Sequence, residues 1–269
     1  MDTFDLCNKQ FSIDQVTIVS CFYVIEKSKH RLVDYVMWMI NFFKIKTKKI
    51  IFTDQHTYDR LFKQILDPNT DFYIYEINDF KMSKWMIEFE WLNQHNKDPE
   101  AIIHSKELYK IWNEKTEMLY KAIQSNRHKS KYFIWCDVGC FRNENMDKFK
   151  SWPSIKKLKK SNDNIILLNI NSFTKEELSS NDIVNFERLD RIGGGIFGGS
   201  INACLKWHTE YYKMFQNLRE NGFFIGKDQS IMANIYIDQL RKNNKMIDLI
   251  KIPHGYKGNK WFYLQDYLL

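Results

Sequence analysis

The sequence predicts an α/β fold: a central, mostly parallel mixed sheet flanked by helices. Short β-branched and aromatic runs recur along the chain and alternate with stretches whose apolar residues fall at helical spacing. That alternation calls for right-handed crossovers and parallel strands. Of the 269 residues, 44% are hydrophobic and 16% aromatic, enough to bury a sizeable core and to exclude a disordered chain.

The first strand is Val16–Tyr23, read from Val16-Thr-Ile-Val-Ser-Cys-Phe-Tyr23. Residues 30–43 follow as a helix with Leu32, Tyr35, Val36, Met39, Phe42 and Phe43 on one stripe. Lys49–Asp54 is a second strand, a helix lies near 56–66, and Phe72–Ile77 is a third strand. Residues 80–100, rich in tryptophan and charge, read as helical, and 104–126 as a longer helix ending near Asn126. Tyr132–Asp137 and Asn164–Ile170 are the fourth and fifth strands. Gly193–Ser200 is a strand broken or bulged by glycine. Helices near 201–221 and 228–242 precede a last strand, Met246–Ile252, closed by Pro253. No linker or repeat divides the chain, so 1–269 reads as one domain.

Several function classes are set aside. No run of eighteen apolar residues is present, so no membrane-crossing helix is expected. Met1-Asp-Thr-Phe-Asp5 lacks the basic and apolar regions of a signal peptide, which points to the cytoplasm. The five cysteines are scattered and form neither a disulfide framework nor a zinc motif; Cys136 and Cys140 read as buried thiols. The net charge of +7 admits nucleic acid, an anionic membrane surface or a phosphate-bearing substrate as partner. No nucleic-acid motif accompanies it, and the clusters at Lys44–Lys49 and Lys156–Lys160 read as solvated surface.

The chemistry concentrates in a few places. Five of the ten glycines fall between Gly193 and Gly199. Glycine in a regular element costs about 0.5–1 kcal/mol relative to alanine, but it lets backbone approach a ligand closely. The segment fits neither a dinucleotide fingerprint nor a phosphate loop, and bulges of purely structural purpose are the alternative. In open α/β sheets ligands bind outside the carboxyl ends of the strands. Ser20, Thr53, Asp54 and Asp137 fall there. A carboxylate at such a position can hold a divalent ion or cap a turn. Asp228-Gln229 opens a helix, where Asp228 either caps it or meets a sugar hydroxyl. His254 and Lys260 lie six apart in a glycine-containing loop, a spacing suited to an ion and a diphosphate.

The order of these features resembles nucleotide-sugar-dependent glycosyltransferases of the GT-A type. It is most similar to the retaining group of glycogenin and the bacterial lipooligosaccharide galactosyltransferases. Over most of its length the chain also resembles the HtrL/YibB and WlaTC-like proteins, through Val16–Tyr23, Lys49–Asp54, Trp135–Gly139, Gly193–Ser200 and Gly226–Ser230. Two departures stand out. The Asp-x-Asp motif reads Asp137-Val138-Gly139, without its second carboxylate. In the late motif Lys257 replaces glycine, and no proline separates Lys260 from Trp261.

The resemblance implies a GT-A-like domain with a nucleotide-binding half about 14–140 and an acceptor and catalytic half about 141–269. It implies sugar transfer from a nucleotide-sugar, a UDP-sugar first, to a glycan or other hydroxyl acceptor. Ser20, Thr53 and Asp54 would hold base and ribose, and Lys115 the donor phosphate or sugar. Asp137 and His254 would hold Mn²⁺ or Mg²⁺, with Lys260 on the leaving diphosphate. Gly194, Gly195, Gly198 and Gly199 would let the sugar lie close, with Asp228 and Gln229 at the anomeric carbon. In a retaining course the leaving phosphate takes the acceptor proton; in an inverting one Asp228 is the candidate base. A non-catalytic nucleotide-sugar or glycan-binding relative is the second reading. Residues 80–112, with Trp85, Trp91 and Trp112, are expected to form the acceptor side.

Overall fold

The computed structural model describes residues 15–142 and 145–269; Met1–Asp5 and Cys7, used above, lie outside them. In chain order, strand β1 (Val16–Cys21) leads to helix α1 (Leu32–Phe43) and β2 (Lys48–Thr53). A single turn α2 (Gln55–Thr57) runs into a π-helical turn, Tyr58–Phe62, and then β3 (Thr70–Ile74). Helices α3 (Lys81–Trp85), α4 (Glu88–Lys97) and α5 (Lys106–Ser125) precede β4 (Tyr132–Cys136). Then come α6 (Ile155–Lys160), β5 (Ile165–Asn169), α7 (Lys175–Ser179), β6 (Ile192–Ser200), α8 (Ile201–Glu220), α9 (Asp228–Arg241), β7 (Ile247–Lys251) and α10 (Tyr263–Tyr267).

The seven strands form one sheet in the order β3-β2-β1-β4-β6-β5-β7. All pairings are parallel except those of β6, which runs antiparallel to both β4 and β5. This is the mostly parallel mixed sheet flanked by helices that the sequence predicts. The glycine segment is one continuous nine-residue strand, with a register irregularity against β5 between Ile166 and Leu168.

Strand alternation divides the core into two layers. Val19, Cys21, Phe133, Trp135 and Phe197 face α5, α8 and α9, where Met118, Trp207, Phe215 and Met232 meet them. Val16, Ile18, Ile134, Cys136 and Ile196 face the other way, toward Met39 and Phe42 of α1, Leu158 of α6 and Leu264 of α10. The described cysteines Cys21, Cys136, Cys140 and Cys204 are free, buried thiols. Lys49, read as solvated, is a correction. Its side chain is fully buried, and its ammonium donates to the carbonyls of Ile45 and Thr47 and to Asp67 at 3.1 Å. The helical stretch expected over 80–100 is two helices, α3 and α4, and Trp91 is wholly in the core.

Candidate functional site

Because β6 is antiparallel, its first residues lie beside the last residues of β4. The amide of Asp137 donates to the carbonyl of Gly195 at 2.9 Å. A cleft of about 520 Å³ opens at this carboxyl edge of the sheet. Cys21 of β1, Asp137–Cys140 after β4, Gly194 and Gly195 of β6, and Asp228 and Gln229 of α9 all line it. β1 and β4 are the adjacent strands from which the chain departs in opposite directions, the place where open sheets bind ligands.

Lys115 reaches this floor from α5. The helix starts at Ser105, whose hydroxyl accepts from the amide of Leu108, and it carries an unusual buried polar face. The Asn113 side chain donates to the carbonyls of Tyr109 and Ile225 and accepts from the hydroxyl of Tyr211. Glu114 accepts from the Tyr75 hydroxyl and the amides of Lys81 and Met82. Burial raises the Glu114 pKa to about 7, against those three hydrogen bonds. These ties fix the helix, so the next residue is aimed without freedom.

The Lys115 ammonium lies 3.2 Å from Asp137, 3.2 Å from Oδ2 of Asp228 and 3.0 Å from the carbonyl of Gly194. Burial opposes its charge, but Asp137 and Asp228 together hold its pKa above the ordinary lysine value. Asp137 also accepts from the Trp135 indole N–H at 2.7 Å. Asp228 is 2% exposed; burial raises its pKa to about 6, opposed by Lys115 and reinforced by Asp137. Asp228 is the first residue of α9 and its carboxylate turns inward to the ammonium.

Of the expected site residues, Lys115, Asp137, Gly194, Gly195, Asp228 and Gln229 meet at the cleft. The others do not line it. The Ser20 hydroxyl is buried and donates to the Cys136 carbonyl. Thr53 is fully buried, and Asp54 caps α2 through the Thr57 amide at 2.6 Å. Gly198 lies deeper along β6, where a β-carbon would sit 2.2 Å from the Phe133 carbonyl oxygen. Gly199 packs against the Asn164 carbonyl oxygen. Both glycines serve strand packing. His254 and Lys260 are exposed after β7, although Asn259, Trp261 and Phe262 beside them line the cleft. Trp112 lines it too, whereas Trp85 packs against Tyr212 and Phe215.

His254 does not join Asp137 at the cleft. The Asp137 carboxylate is instead paired with the Lys115 ammonium, and Gly139 supplies no side-chain carboxylate beside it. A different set, Asp98, Glu100 and His104, presents ligand atoms within 4.8 Å of one another, a spacing compatible with a divalent cation. Glu100 and His104 line the cleft. Glu100 is paired with Lys227, itself a cleft residue.

Sequence reasoning missed that set, and it missed Arg142. The Arg142 guanidinium stacks 3.7 Å over the Trp38 ring and 4.8 Å from that of Phe262, and Nε donates to the Gly139 carbonyl. Burial lowers its pKa. Its place three residues beyond Gly139 carried no signal in the sequence.

Comparison with known proteins adds three findings. No functionally curated protein matches the chain. A solved structure, 4-diphosphocytidyl-2C-methyl-D-erythritol synthase from Anaerococcus prevotii, is similar at 9% identity and a TM-score of 0.39, covering 95% of this chain and 98% of that one. A family model described as "Bacterial protein of unknown function (HtrL_YibB)" matches residues 83–264, which include α5, β4, β6 and the start of α9. The chain belongs to the HtrL_YibB family.

Proposed function

We propose that this protein is a nucleotide-sugar-dependent glycosyltransferase, with a UDP-sugar the first donor to test and a glycan or glycoconjugate hydroxyl as acceptor. The observation that carries the reading is the Lys115 ammonium bridging Asp137 and Asp228 over a glycine floor, inside a cleft at the carboxyl edge of the sheet.

The chemistry follows from that arrangement. Transfer breaks the bond between the anomeric carbon and phosphate, and negative charge builds on the leaving diphosphate. Lys115, with Arg142 on the cleft wall and Lys260 at its rim, supplies positive charge for it; one such preorganised donor is worth about 10²–10³ in rate. Asp137 meets the ribose. Asp228 and Gln229 orient the sugar, which rests against the backbone of Gly194 and Gly195. Aromatic rings at Tyr35, Trp112 and Trp261 offer stacking faces for base or sugar. No step is assigned to Mn²⁺ or Mg²⁺, and the donor assay is run with and without Mn²⁺ to measure any contribution. The motif order favours a retaining course, which product stereochemistry decides. In this reading the nucleotide half is about 14–140 and the acceptor half about 141–269. Among the described residues no helix is long and apolar enough to cross a membrane. We place the protein in the cytoplasm, where its +7 charge favours peripheral contact with an anionic membrane surface.

The test is nucleotide release from a panel of UDP-, GDP- and dTDP-sugars, read beside the donor-induced change in melting temperature. Release from one donor, lost in Asp137→Ala and Asp228→Ala variants that keep the fold, is the expected result. No release and no thermal shift with any donor overturns the reading. The missing second carboxylate at Gly139 favours one alternative, a non-catalytic nucleotide-sugar or glycan-binding relative. Tight donor binding without turnover, given competent acceptors, would support it.

A further inference from the structure

Helix α1 turns an apolar stripe outward. Its Met39 and Phe42 are buried in the second core layer, against the sheet. Away from that layer Val33, Met37 and Ile40 are 56%, 59% and 50% exposed. Lys44, exposed at the helix end, comes four residues after Ile40. Steps of four, three and four residues keep all four side chains on one face of the helix. An exposed apolar group with polar residues around it marks a surface that meets something other than water.

The stripe is bracketed by cations. Lys29 and Arg31 are exposed before the helix, and Lys44 and Lys46 at its far end. The one acidic residue of α1, Asp34, is paired with Arg31 at 3.0 Å, whereas Lys44 donates to the neutral Asn41 side chain. Leu158 of α6 shares the core layer of Met39 and Phe42, so this side of the sheet also carries the exposed Lys156, Lys159 and Lys160. Apolar side chains flanked by lysines match an anionic lipid surface. The apolar group enters the boundary between headgroups and acyl chains, and the ammonium groups meet phosphates. A second copy of the chain fits less well, because its stripe would bring cations against cations.

We propose that this face of α1 docks the protein on an anionic lipid bilayer. The inference rests on the peripheral membrane contact proposed above and names the surface that makes it. Val33, Met37 and Ile40 enter the lipid boundary, and Lys44 and Lys46 hold headgroup phosphates. The helix also borders the cleft: Ser28, Lys29 and His30 before it and Tyr35 within it line the opening. Docking on this face therefore holds the cleft beside the bilayer.

Two variants of the full chain test the surface, read by co-sedimentation with phosphatidylcholine vesicles that contain or lack phosphatidylglycerol. The wild type is expected to bind the anionic vesicles, more weakly as salt rises, and to leave the neutral ones free. Replacing the stripe together, Val33→Gln, Met37→Gln and Ile40→Gln, is expected to weaken that binding about tenfold or more. Lys44→Gln with Lys46→Gln is expected to weaken it about tenfold, and this pair decides if the stripe variant does not fold. Anionic binding that both variants retain overturns this surface and leaves the membrane contact to another one. A wild type that ignores anionic vesicles overturns the contact and this surface with it. A concentration-dependent wild-type dimer that the stripe variant loses also overturns the proposal, because the stripe then seats a second copy. Nucleotide release from a soluble donor, measured without vesicles, is expected to be unchanged in both variants. A protein that binds vesicles through α1 but releases no nucleotide keeps this surface and overturns only the glycosyl-transfer reading.

Discussion

A β-carbon on Gly194 would lie 2.7 Å from Oδ2 of Asp228 and 2.9 Å from its Oδ1. The glycine is what lets the carboxylate stand flush against the strand, within reach of Lys115. Gly194→Ala is expected to push Asp228 out of line, at an overpacking cost of about 1–3 kcal/mol. Nucleotide release should fall by about 10² or more. Gly195→Ala meets only the Cys140 sulfur at 3.3 Å and a carboxylate oxygen of Asp137 at 3.6 Å, so it should keep far more activity. Equal losses in the two variants would count against the assignment.

Lys115→Met tests the bridging cation. It leaves the Asp137 and Asp228 carboxylates in one site with no ammonium between them. Removing one partner of a buried ion pair costs about 3–5 kcal/mol, and the low end applies because the Asp137 side chain is 38% exposed. Thermal unfolding should report a fall of several degrees, and donor turnover should be lost. A variant with unchanged stability would mean that the ammonium does not neutralise the pair.

The pH dependence has an unusual sign. Asp228 is raised from 3.8 to about 6 in the folded protein. As pH falls through 6 toward 3.8, the folded state takes up a proton that the unfolded chain does not, so this group's contribution turns toward stabilising. The difference in melting temperature between wild type and Asp228→Asn should therefore move in favour of wild type between about pH 7.5 and about pH 5. Activity should decline over the same window as the carboxylate is neutralised. A difference that moves the other way would show that Asp228 is not held above its ordinary range.

Gly198→Ala separates fold from site. Gly198 has a φ of +155°, and an added β-carbon would meet the Phe133 carbonyl oxygen at 2.2 Å and the Ile134 Cα at 2.7 Å. Rigid backbone cannot yield there, so this variant should be insoluble or unfolded. A folded, active Gly198→Ala protein would contradict the tight pairing of β4 with β6.

Lys260→Ala should raise the donor KM with a smaller effect on kcat, as loss of a rim charge does. Donor kinetics identical to wild type would remove Lys260 from the diphosphate contacts.

The strands were legible because buried parallel strands are runs of β-branched and aromatic residues, as in β1 and β2. Helices α6, α7 and α10 were not, because elements of five or six residues give periodicity too little length to register. Strand direction was also hidden: nothing local to Ile192–Ser200 says that it runs against its neighbours. In the site, Asp137 and Asp228 were found because strand ends and helix starts face the same edge. Ser20 was misplaced by one residue of strand alternation, since Cys21 lines the cleft. His254 follows a strand as expected, but the loop carries it outward. Asp98 and His104 sit between helices in a stretch with no period, and only folding brings them beside Trp112.

Strand β6 lies between β4 and β5 in space, yet it follows both in the chain. During synthesis, therefore, β4 and β5 emerge from the ribosome with facing edges unpaired, and neither can close until residues 192–200 have been made and threaded between them. A nascent chain stalled before that point exposes two apolar strand edges, which are templates for association with other chains. Chaperone demand in the cell should thus peak over a narrow interval of translation, set by where one glycine-rich ribbon falls in the message.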